Sequence, residues 1–342
     1  MRPAWAEPLR VATWNAGLDR AGPGLLLQDI LSDDDPQVAA AVQVIAALDA
    51  DVLVLTGVDY DHGLVALRAL AARTAAAGAA YPHLFALRPN TGMATGLDMD
   101  GDGRLGTPRD AQGWGRFAGE GGMAVLSRLP VDEGAVRDLS AMLWRDLPGA
   151  ILPPGFPPDQ AAVQRLSTTG HWVVPLVRPD GGRLTLLIWH ATPPVFDGPE
   201  DRNGRRNHDE AALWLRLLDG LLGEVPAGPL VVIGDGNLDP VDGEGRSDAM
   251  RALLSHPALQ DPAPRGTHGR MEPAHKGDPA LDTALYDPGP GGLRVDLILP
   301  SADLKVTGSG VLWPPEGDPL SATLATASRH RPVWVDLMLP GP

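Results

Sequence analysis

The stretch "VVIGDGNLDP", from Val231 to Pro240, places an aspartate and an asparagine directly after a short apolar run. The apolar run has the length and composition of a buried β-strand. Asp235 and Asn237 are two positions apart at its end, so an extended chain directs both side chains to the same side. Such polar residues either cap a turn or line a ligand site, and the rest of the chain is needed to decide between these interpretations.

Further segments of strand length occur along the chain, separated by helical patterns and bounded by turn residues. The predicted strands cover residues 9–15, 51–57, 121–127, 171–177, 183–190, 229–235, 293–299 and 332–339. One predicted helix has Asp35 as its N-cap and Pro36 at its first position, a second ends at Gly78, and a third covers 207–222. This alternation predicts a single α/β domain over residues 9–340, with a flexible N-terminus at 1–8. The proline-rich and glycine-rich stretches 148–158 and 262–292 are predicted to be surface loops.

Composition excludes several classes of protein. The chain has 342 residues, 44% of them hydrophobic, which is enough for a substantial core. It contains no cysteine, which excludes disulfides, zinc–thiolate sites and a cysteine nucleophile. No apolar run is long enough to predict a membrane span. The formal net charge of -15 disfavours long nucleic acid as the main partner, because binding to phosphate backbones normally requires a basic face. The oligomeric state is left open.

The first residues contain a pattern typical of a signal-peptidase site. Ala4 and Ala6 flank Trp5 just before Glu7, although the charged and apolar regions of a signal peptide are missing. We therefore predict a periplasmic or secreted protein. The alternative is an ordinary flexible N-terminus.

Polar residues recur at the ends of the other predicted strands. Asn15 ends the first, His190 ends the fifth, Asp296 lies inside the seventh and His330 precedes the last. Each residue alone could bind loop backbone, but strand ends converge in layered α/β proteins. Together with Asp235, they predict one shared pocket.

Six short motifs occur along the chain between Leu9 and Leu339: "ATWN", "GGMAVLSRLPV", "WHATPP", "GDGNLDP", "RVDLIL" and "SRHRPV". In this set and order the chain resembles the endonuclease/exonuclease/phosphatase superfamily of metal-dependent phosphoesterases. The resemblance implies a four-layer α/β sandwich in which two mostly antiparallel sheets pack face to face with helices outside. It also implies an active site at one end, where strand ends of both sheets meet.

The resemblance implies catalytic roles for residues of these motifs. Asp235 would orient the attacking water, and Asn237 would hold Asp235 or the phosphate. Asp296 would fix the tautomer of His330 and favour its charged form, which can contact phosphoryl oxygens. His190 would bind the phosphate or protonate the leaving group.

Two supporting residues are assigned in the same way. Glu120 is the candidate carboxylate that orients His190, because it comes just before the "GGMAVLS" strand. Asn15 would lie beside the substrate and a divalent cation with oxygen ligands, for which Mg²⁺ is the natural choice.

The chain departs from the family pattern at two positions. Gly57 stands where the family has a metal-binding glutamate, so Asp59, or else Asp61, is predicted to supply the carboxylate. Arg329 stands where an aspartate is usual in the last motif, and it is predicted to bind a phosphoryl oxygen of the substrate. The alternative is an exposed arginine that pairs with a neighbouring loop.

The segment "LDMDGDGRLGTPRD", Leu97 to Asp110, resembles the first half of a calcium-binding loop. Asp98, Asp100 and Asp102 have the spacing of calcium ligands, and Asp110 is the candidate for the closing carboxylate one position later than usual. Bound Ca²⁺ would stiffen the loop. The alternative is an acidic turn without metal.

Three arginines, Arg202, Arg205 and Arg206, open a predicted helix shortly after His190. A helix N-terminus with arginines favours anions, so Arg206 is predicted to bind substrate phosphate. Because acidic residues are interleaved, a solvated, salt-bridged helix start is the alternative.

The leading functional hypothesis is a metal-dependent phosphoesterase that hydrolyses a phosphomonoester or phosphodiester of a small or accessible substrate. A nuclease is the alternative within the same fold, because local arginines and bound cations can offset an acidic charge. A catalytically silent binding protein is the alternative from another class.

Overall fold

The computed structural model describes residues 8–339. The Ala4–Ala6 pattern, most of the predicted flexible N-terminus and the last residue of the predicted domain lie outside this range. The strands are β1 Leu9–Leu18, β2 Val52–Val58, β3 His83–Phe85, β4 Gly122–Ser127, β5 Arg137–Asp138, β6 Gly170–Val177, β7 Arg183–His190, β8 Leu230–Asp235, β9 Ala284–Tyr286, β10 Gly291–Leu293, β11 Asp296–Pro300, β12 Lys305–Val311 and β13 Val333–Met338. The helices are α1 Leu25–Ser32, α2 Pro36–Leu48, α3 Val65–Ala76, α4 Pro158–Ala161, α5 Arg202–Leu218, α6 Asp248–Leu254 and α7 Pro319–Ala327.

Two large sheets contain most of the strands. One has six strands in the order β12-β13-β1-β2-β4-β3, and the other has five in the order β11-β8-β7-β6-β5. The pairs β1–β2 and β7–β8 are parallel, and every other neighbouring pair in these two sheets is antiparallel. Strands β9 and β10 form a separate small sheet.

Three hydrophobic cores separate four layers. Helices α1, α2, α3 and α7 pack on the outer face of the six-stranded sheet, and α5 and α6 pack on the outer face of the five-stranded sheet. Residues from the inner faces of both sheets form the middle core. This confirms the predicted four-layer α/β sandwich with two mostly antiparallel sheets.

Strand β8 shows why the predicted strands are apolar at nearly every position. Val231 and Ile233 face the core between the sheets, whereas Val232 faces the core beneath α5 and α6. Because both faces of the sheet are covered, both sets of side chains must be apolar. The same alternation directs Asp235 towards the inner face.

The predicted helix starts and strand positions agree with the structure in most cases. The Asp35 carboxylate accepts a hydrogen bond of 2.7 Å from the Val38 amide, so the predicted N-cap of α2 is confirmed. The predicted helix 207–222 begins earlier, at Arg202, and ends at Leu218. The elements that were not predicted are strands β3, β5, β9 and β12 and helices α1, α4, α6 and α7. The sequence of β12, "KVTGSGV", contains two glycines and lies at a sheet edge, which explains its weak strand pattern.

The seventh predicted strand, 293–299, is wrong at its start. Residues Gly291–Leu293 belong to β10 and pair with β9, and β11 begins only at Asp296. At the break, the amides of Val295 and Asp296 both donate to the Thr283 hydroxyl, at 3.0 and 2.9 Å. The predicted surface loop 262–292 therefore contains a buried segment at Thr283 and Ala284. Within residues 8–339, no helix combines the length and apolar character that a membrane crossing needs.

Candidate active site

Three polar residues lie in register across three neighbouring strands. His190 at the end of β7 is the partner of Asp235 at the end of β8, and Asp235 is the partner of Asp296 at the start of β11. Residues that face each other in a sheet point to the same side, here the side of the middle core. Close packing of β8 on β7 requires Gly234, since a Cβ atom there would lie 1.9 Å from the Trp189 carbonyl oxygen.

Asn15 reaches this row from the opposite sheet. It continues the inward-facing set of β1, and its Nδ2 donates a hydrogen bond of 2.8 Å to Asp235 Oδ2. The Ser328 hydroxyl donates to the Asn15 carbonyl at 2.7 Å and accepts from the His330 amide at 3.0 Å. Side chains from both sheets and from the segment before β13 therefore meet at one end of the sandwich.

His330 and Asp296 form a buried pair. His330 Nδ1 lies 2.8 Å from Asp296 Oδ2, which also accepts a hydrogen bond of 2.9 Å from the Thr283 hydroxyl. Burial lowers the pKa of His330, but the charge and hydrogen bond of Asp296 and the charge of Asp235 outweigh burial and raise the pKa above its ordinary value. The pair therefore favours a charged imidazole, whose Nδ1–H donates to the Asp296 carboxylate.

Asp235 is fully buried, and its two carboxylate oxygens have different partners. Oδ2 accepts from Asn15, and Oδ1 accepts from the Asn237 amide at 2.8 Å. Asn237 has a left-handed backbone with φ 51°, and its side-chain Nδ2 donates to the Ala191 carbonyl at 2.8 Å. Burial and then the charge of Asp296 raise the pKa of Asp235, while His330, His190 and Asn15 oppose the shift. Asp235 therefore has the character of a proton acceptor held in a low-dielectric site.

His190 lies on the other side of Asp235, with Nε2 3.6 Å from Asp235 Oδ2. Burial lowers the pKa of His190, and the Asp235 charge only partly opposes this, so the neutral imidazole is favoured. The sequence-based pairing with Glu120 does not form. Glu120 Oε1 instead accepts from Arg116 Nε at 2.8 Å, and its other oxygen accepts from the Arg116 amide. His190 Nδ1 is buried and has no hydrogen-bond partner within residues 8–339.

The loop after β2 does not supply the predicted metal carboxylate. Asp59 Oδ2 accepts from the Arg20 amide and Oδ1 from the Gly121 amide, each at 3.0 Å. Asp61 caps α3 through the amides of Val65 and Ala66. Strand alternation does not apply to this loop, because the register of β2 with β1 and with β4 shifts around Gly57. Because Asp59 accepts hydrogen bonds from two backbone amides, its carboxylate stabilises the loop after β2.

Gly57 itself leaves no room for an acidic side chain. It has φ 64°, and a Cβ atom would lie 2.3 Å from Asn15 Oδ1. The Asn15 amide thus fills the space that a side chain at position 57 would need, and it is fixed there by Asp235 and by the Gly17 amide, which donates to Oδ1 at 3.2 Å.

One cluster in this site has the donor set of a divalent-cation site. Ligand atoms of Asp235, Asp296 and His330 all lie within 4.8 Å of one another. Asp296 Oδ1 is buried and has no hydrogen-bond partner among the residues that the structure describes. An unpaired buried carboxylate oxygen is costly, and a cation with oxygen ligands would satisfy it. The residues present therefore fit a divalent cation at this cluster better than at Asn15 and Asp59.

The acidic loop forms a second cluster at a distance from the Asp–His pair. Carboxylate oxygens of Asp98, Asp100 and Asp102 lie within 4.8 Å of one another. Asp98 also accepts from the amides of Gly101 and Gly103 at 2.7 and 2.8 Å, as in an acidic turn. The structure does not bring Asp110 into this cluster. Its buried carboxylate accepts from the amides of Met99 and Thr107, and the Met99 bond is the main reason that the pKa of Asp110 is lowered.

The arginines at the start of α5 bind the protein's own backbone. Arg206 is buried and donates to the carbonyls of Leu166, Gln112, Arg165 and Ser167. Arg202 donates to the Met99 carbonyl and to Gln164, and Arg205 donates to the Glu200 and Ile151 carbonyls. The Asp197 carboxylate already accepts from the Asn203 amide in the first turn of α5. The geometry therefore gives Arg206 a structural role, and the predicted phosphate contact is not supported.

Arg329 has a different environment. It is exposed, and its guanidinium carbon lies 5.6 Å from the centre of the Tyr286 ring. Among the described residues it makes no ion pair with a carboxylate. The Arg329 guanidinium, next to His330 in the sequence, is therefore not neutralised by a carboxylate and can contact an anion.

A groove of about 1140 Å³ runs along the surface beside Asn15 and His190, the two residues that flank the buried Asp235. Asn15, Gly57 and His190 line its inner end, and Asp100 and Arg109 of the acidic loop line it further out. Its walls include Trp114 and Phe196, whose exposed fractions of 58% and 83% are high for aromatic residues. The groove is as large as pockets that hold ligands of drug size, and much larger than a phosphate group requires.

Sequence reasoning missed three residues around the Asp–His pair: Thr283, Tyr286 and Ser328. Thr283 and Tyr286 lie in the stretch predicted to be a surface loop, where nothing in the local pattern indicates burial beside Asp296. Ser328 is the first residue of the "SRHRPV" motif, and this position was the available signal. The contacts of all three depend on long-range pairing.

Comparisons with known proteins agree with this geometry. The sequence matches the Endonuclease/Exonuclease/phosphatase family over residues 12–330. Similar solved structures include an endonuclease/exonuclease/phosphatase from Beutenbergia cavernae DSM 12333, with TM-score 0.56 and 21% identity over 98% of this chain and 72% of that one. Sphingomyelinase C from Streptomyces griseocarneus has TM-score 0.51 and 18% identity over 96% and 99%. The mannosyl-6-phosphatase Bt3783 from Bacteroides thetaiotaomicron VPI-5482 has TM-score 0.51 and 16% identity over the same shares.

No curated protein matches the sequence. At these identities the solved structures show the shared fold, and the family match extends over nearly the whole chain, from β1 to His330. The protein belongs to the endonuclease/exonuclease/phosphatase family.

Proposed function

We propose that this protein hydrolyses a phosphoester bond of a substrate bound in the groove, and that Asp235 orients and deprotonates the attacking water. Members of the family are hydrolases of phosphoester bonds. The observation that carries the proposal is the fully buried Asp235, which is fixed from both sheets and lies between a neutral and a charged histidine. Two histidines with oppositely shifted pKa values beside one carboxylate are typical of acid–base sites.

In this scheme each side chain has one task. Asp235 Oδ2 accepts the proton of the water, since its raised pKa makes it a better base than an ordinary aspartate. The charged His330 contacts the phosphoryl oxygens and stabilises the negative charge that they carry in the transition state. The neutral His190 donates a hydrogen bond to the phosphate from the opposite side, and the Asn237 amide holds the Asp235 carboxylate in place. As the water oxygen binds phosphorus, the P–O bond to the alcohol breaks, and the leaving oxygen takes a proton from solvent in the groove.

The family depends on divalent cations, and the carboxylates of Asp235 and Asp296 would hold one here, because the charged His330 has no lone pair to offer a cation. A bound cation supplies neutralisation of phosphoryl charge and helps to keep a nearby carboxylate ionised. We propose Mg²⁺, because oxygen ligands dominate the set. Arg329 adds a second positive charge that could contact the phosphate, since its guanidinium makes no ion pair within residues 8–339.

We propose a substrate whose alcohol part is larger than a methyl or ethyl group, since a groove of about 1140 Å³ with Trp114 and Phe196 in its walls can bury it. Long nucleic acid is disfavoured by the net charge of -15. We further propose Ca²⁺ at Asp98, Asp100 and Asp102, in a loop that forms the outer part of the same groove. Export to the periplasm or the medium remains a prediction from Ala4 and Ala6.

The proposal is tested with purified protein and three substrates: bis-p-nitrophenyl phosphate, p-nitrophenyl phosphate and supercoiled plasmid DNA. Each is assayed with Mg²⁺ and with excess chelator. We expect Mg²⁺-dependent release of nitrophenol from at least one small ester, and slower nicking of DNA. Efficient nicking without activity on the small esters would favour a nuclease, and no hydrolysis of any substrate would favour a silent binding protein.

A further inference from the structure

Strand β9 brings one more side chain to the Asp–His pair. Ala284 and His330 face each other in an antiparallel bridge. The bridge is flanked by hydrogen bonds from the Leu285 amide to the Arg329 carbonyl, at 2.9 Å, and from the Arg331 amide to the Thr283 carbonyl, at 2.6 Å. Alternation along β9 then puts Tyr286 on the same face as Ala284 and His330, while Leu285 points to the core between the sheets.

The Tyr286 ring is held from several sides. Its edge meets the His330 ring, with centroids 6.1 Å apart and an angle of 78° between the planes. The ring packs against the small cluster of Ala284, Leu293 and Val295, and Arg329 lies over it at 5.6 Å. A ring held in this way loses little further freedom when its hydroxyl binds a ligand.

The Tyr286 hydroxyl, in contrast, has no partner in the described part of the chain. It makes no hydrogen bond there, and it is not among the buried unpartnered atoms, whereas the hydroxyl of Tyr81 is enclosed in the protein. Burial raises the pKa of Tyr286, and the charges of Asp235 and Asp296 raise it further. The ring contact with His330 places the phenol beside the candidate active site, where its hydroxyl can donate a hydrogen bond.

We propose that Tyr286 is a further catalytic residue, whose Oη donates a hydrogen bond to a non-bridging oxygen of the phosphoryl group. This inference rests on the proposed function, since it needs a phosphoryl group beside Asp235 and His330. A fixed donor aimed at developing negative charge stabilises the transition state more than the ground state. Tyr286 acts from the His330 side of the site, opposite His190 across Asp235.

The test is Tyr286→Phe, which removes only the hydroxyl oxygen, compared with Tyr60→Phe as the matched control. Tyr60 follows β2 and, unlike Tyr286, has no ring contact with His330 among the described residues. Two quantities are measured: kcat for the best small ester, and the affinity for inorganic phosphate with Mg²⁺ by titration calorimetry. We expect Tyr286→Phe to lower kcat about 100-fold and to weaken phosphate binding about 10-fold, with an unchanged melting temperature because the hydroxyl makes no hydrogen bond in the protein.

The possible outcomes test the role of Tyr286 separately from the proposed hydrolase activity. If the wild type hydrolyses esters and Tyr286→Phe equals Tyr60→Phe in both measurements, the role of Tyr286 is refuted while the hydrolase stands. If the wild type is inactive but binds phosphate, the hydrolase fails, and the phosphate affinity alone decides whether Tyr286 contacts the phosphoryl group. If the wild type is inactive and also binds phosphate with Kd above ~10 mM, the contact is refuted as well.

Discussion

Replacing Asp235 by Asn tests the centre of the proposed mechanism with little change in shape. The substitution keeps one side-chain oxygen but removes the charge and the proton-accepting oxygen. Loss of a positioned general base lowers turnover by at least ~100-fold, which corresponds to about 2.7 kcal/mol of transition-state stabilisation. We expect this loss in kcat with bis-p-nitrophenyl phosphate at saturating Mg²⁺.

The expected change in stability follows from the contacts of Asp235. Its two oxygens each accept one hydrogen bond, from Asn15 and from the Asn237 amide, and an asparagine can accept only one of them well. The lost bond costs about 1 kcal/mol. The raised pKa of Asp235 means that its ionised form destabilises the folded state at neutral pH, so removing the charge offsets this cost. We therefore expect the free energy of unfolding to change by less than ~2 kcal/mol.

The assay compares initial rates and urea unfolding of the wild type, Asp235→Asn and Asp303→Asn. Asp303 is exposed, and its substitution makes the same change in net charge. The control should keep wild-type rates. The reasoning is refuted if Asp235→Asn retains activity within ~5-fold of the control, because no single general base then acts at this position.

Three further changes separate the catalytic residues from the structural ones. His330→Ala should lower kcat at least ~100-fold through loss of a charged donor, and a rate within ~5-fold of wild type in the ester assay would exclude that role. Asp59→Ala should lower the free energy of unfolding by ~1–3 kcal/mol at pH 5, since two amides lose their acceptor, while the Mg²⁺ concentration for half-maximal activity stays unchanged. Because burial raises the pKa of Asp59 from 3.8 to about 6, ionisation destabilises the fold, and the stability difference between wild type and variant should shrink as pH rises from about 4 to about 6. A shifted Mg²⁺ requirement would instead restore Asp59 as a metal ligand. Chelation should lower the melting temperature of the wild type but not of Asp100→Ala, and equal melting curves with and without chelator would leave an acidic turn without metal.

The sequence pattern alone predicted the α/β class and the polar strand ends, and the family resemblance predicted the four-layer sandwich. Buried strands such as Leu230–Asp235 are apolar on both faces, so they stand out from their surroundings, and a polar residue at such a strand end is conspicuous. Asp235, His190 and Asp296 were predicted to lie together because strand ends converge in layered α/β proteins, and the register of β7, β8 and β11 confirms that they are neighbours.

The partners of the other acidic residues could not be read from the sequence. Sequence spacing predicted Glu120 near His190 and Asp59 near Asn15. In the structure, Glu120 instead accepts from Arg116, and Asp59 accepts from two backbone amides. A carboxylate accepts from whichever donor the folded chain brings within about 3 Å. Loop conformation determines which donor that is, and sequence spacing does not predict loop conformation to this precision.

Only the tertiary structure placed Thr283, Tyr286 and the groove walls around the site. Strand β9 lies in a stretch rich in glycine and proline. Its position beside the site comes from the bridge between Ala284 and His330, which lies more than forty positions later in the chain. Local patterns determine which segments become strands and helices, because burial imposes a period on each. Which side chains meet at the strand ends is set by long-range pairing and register, which no short stretch of sequence contains.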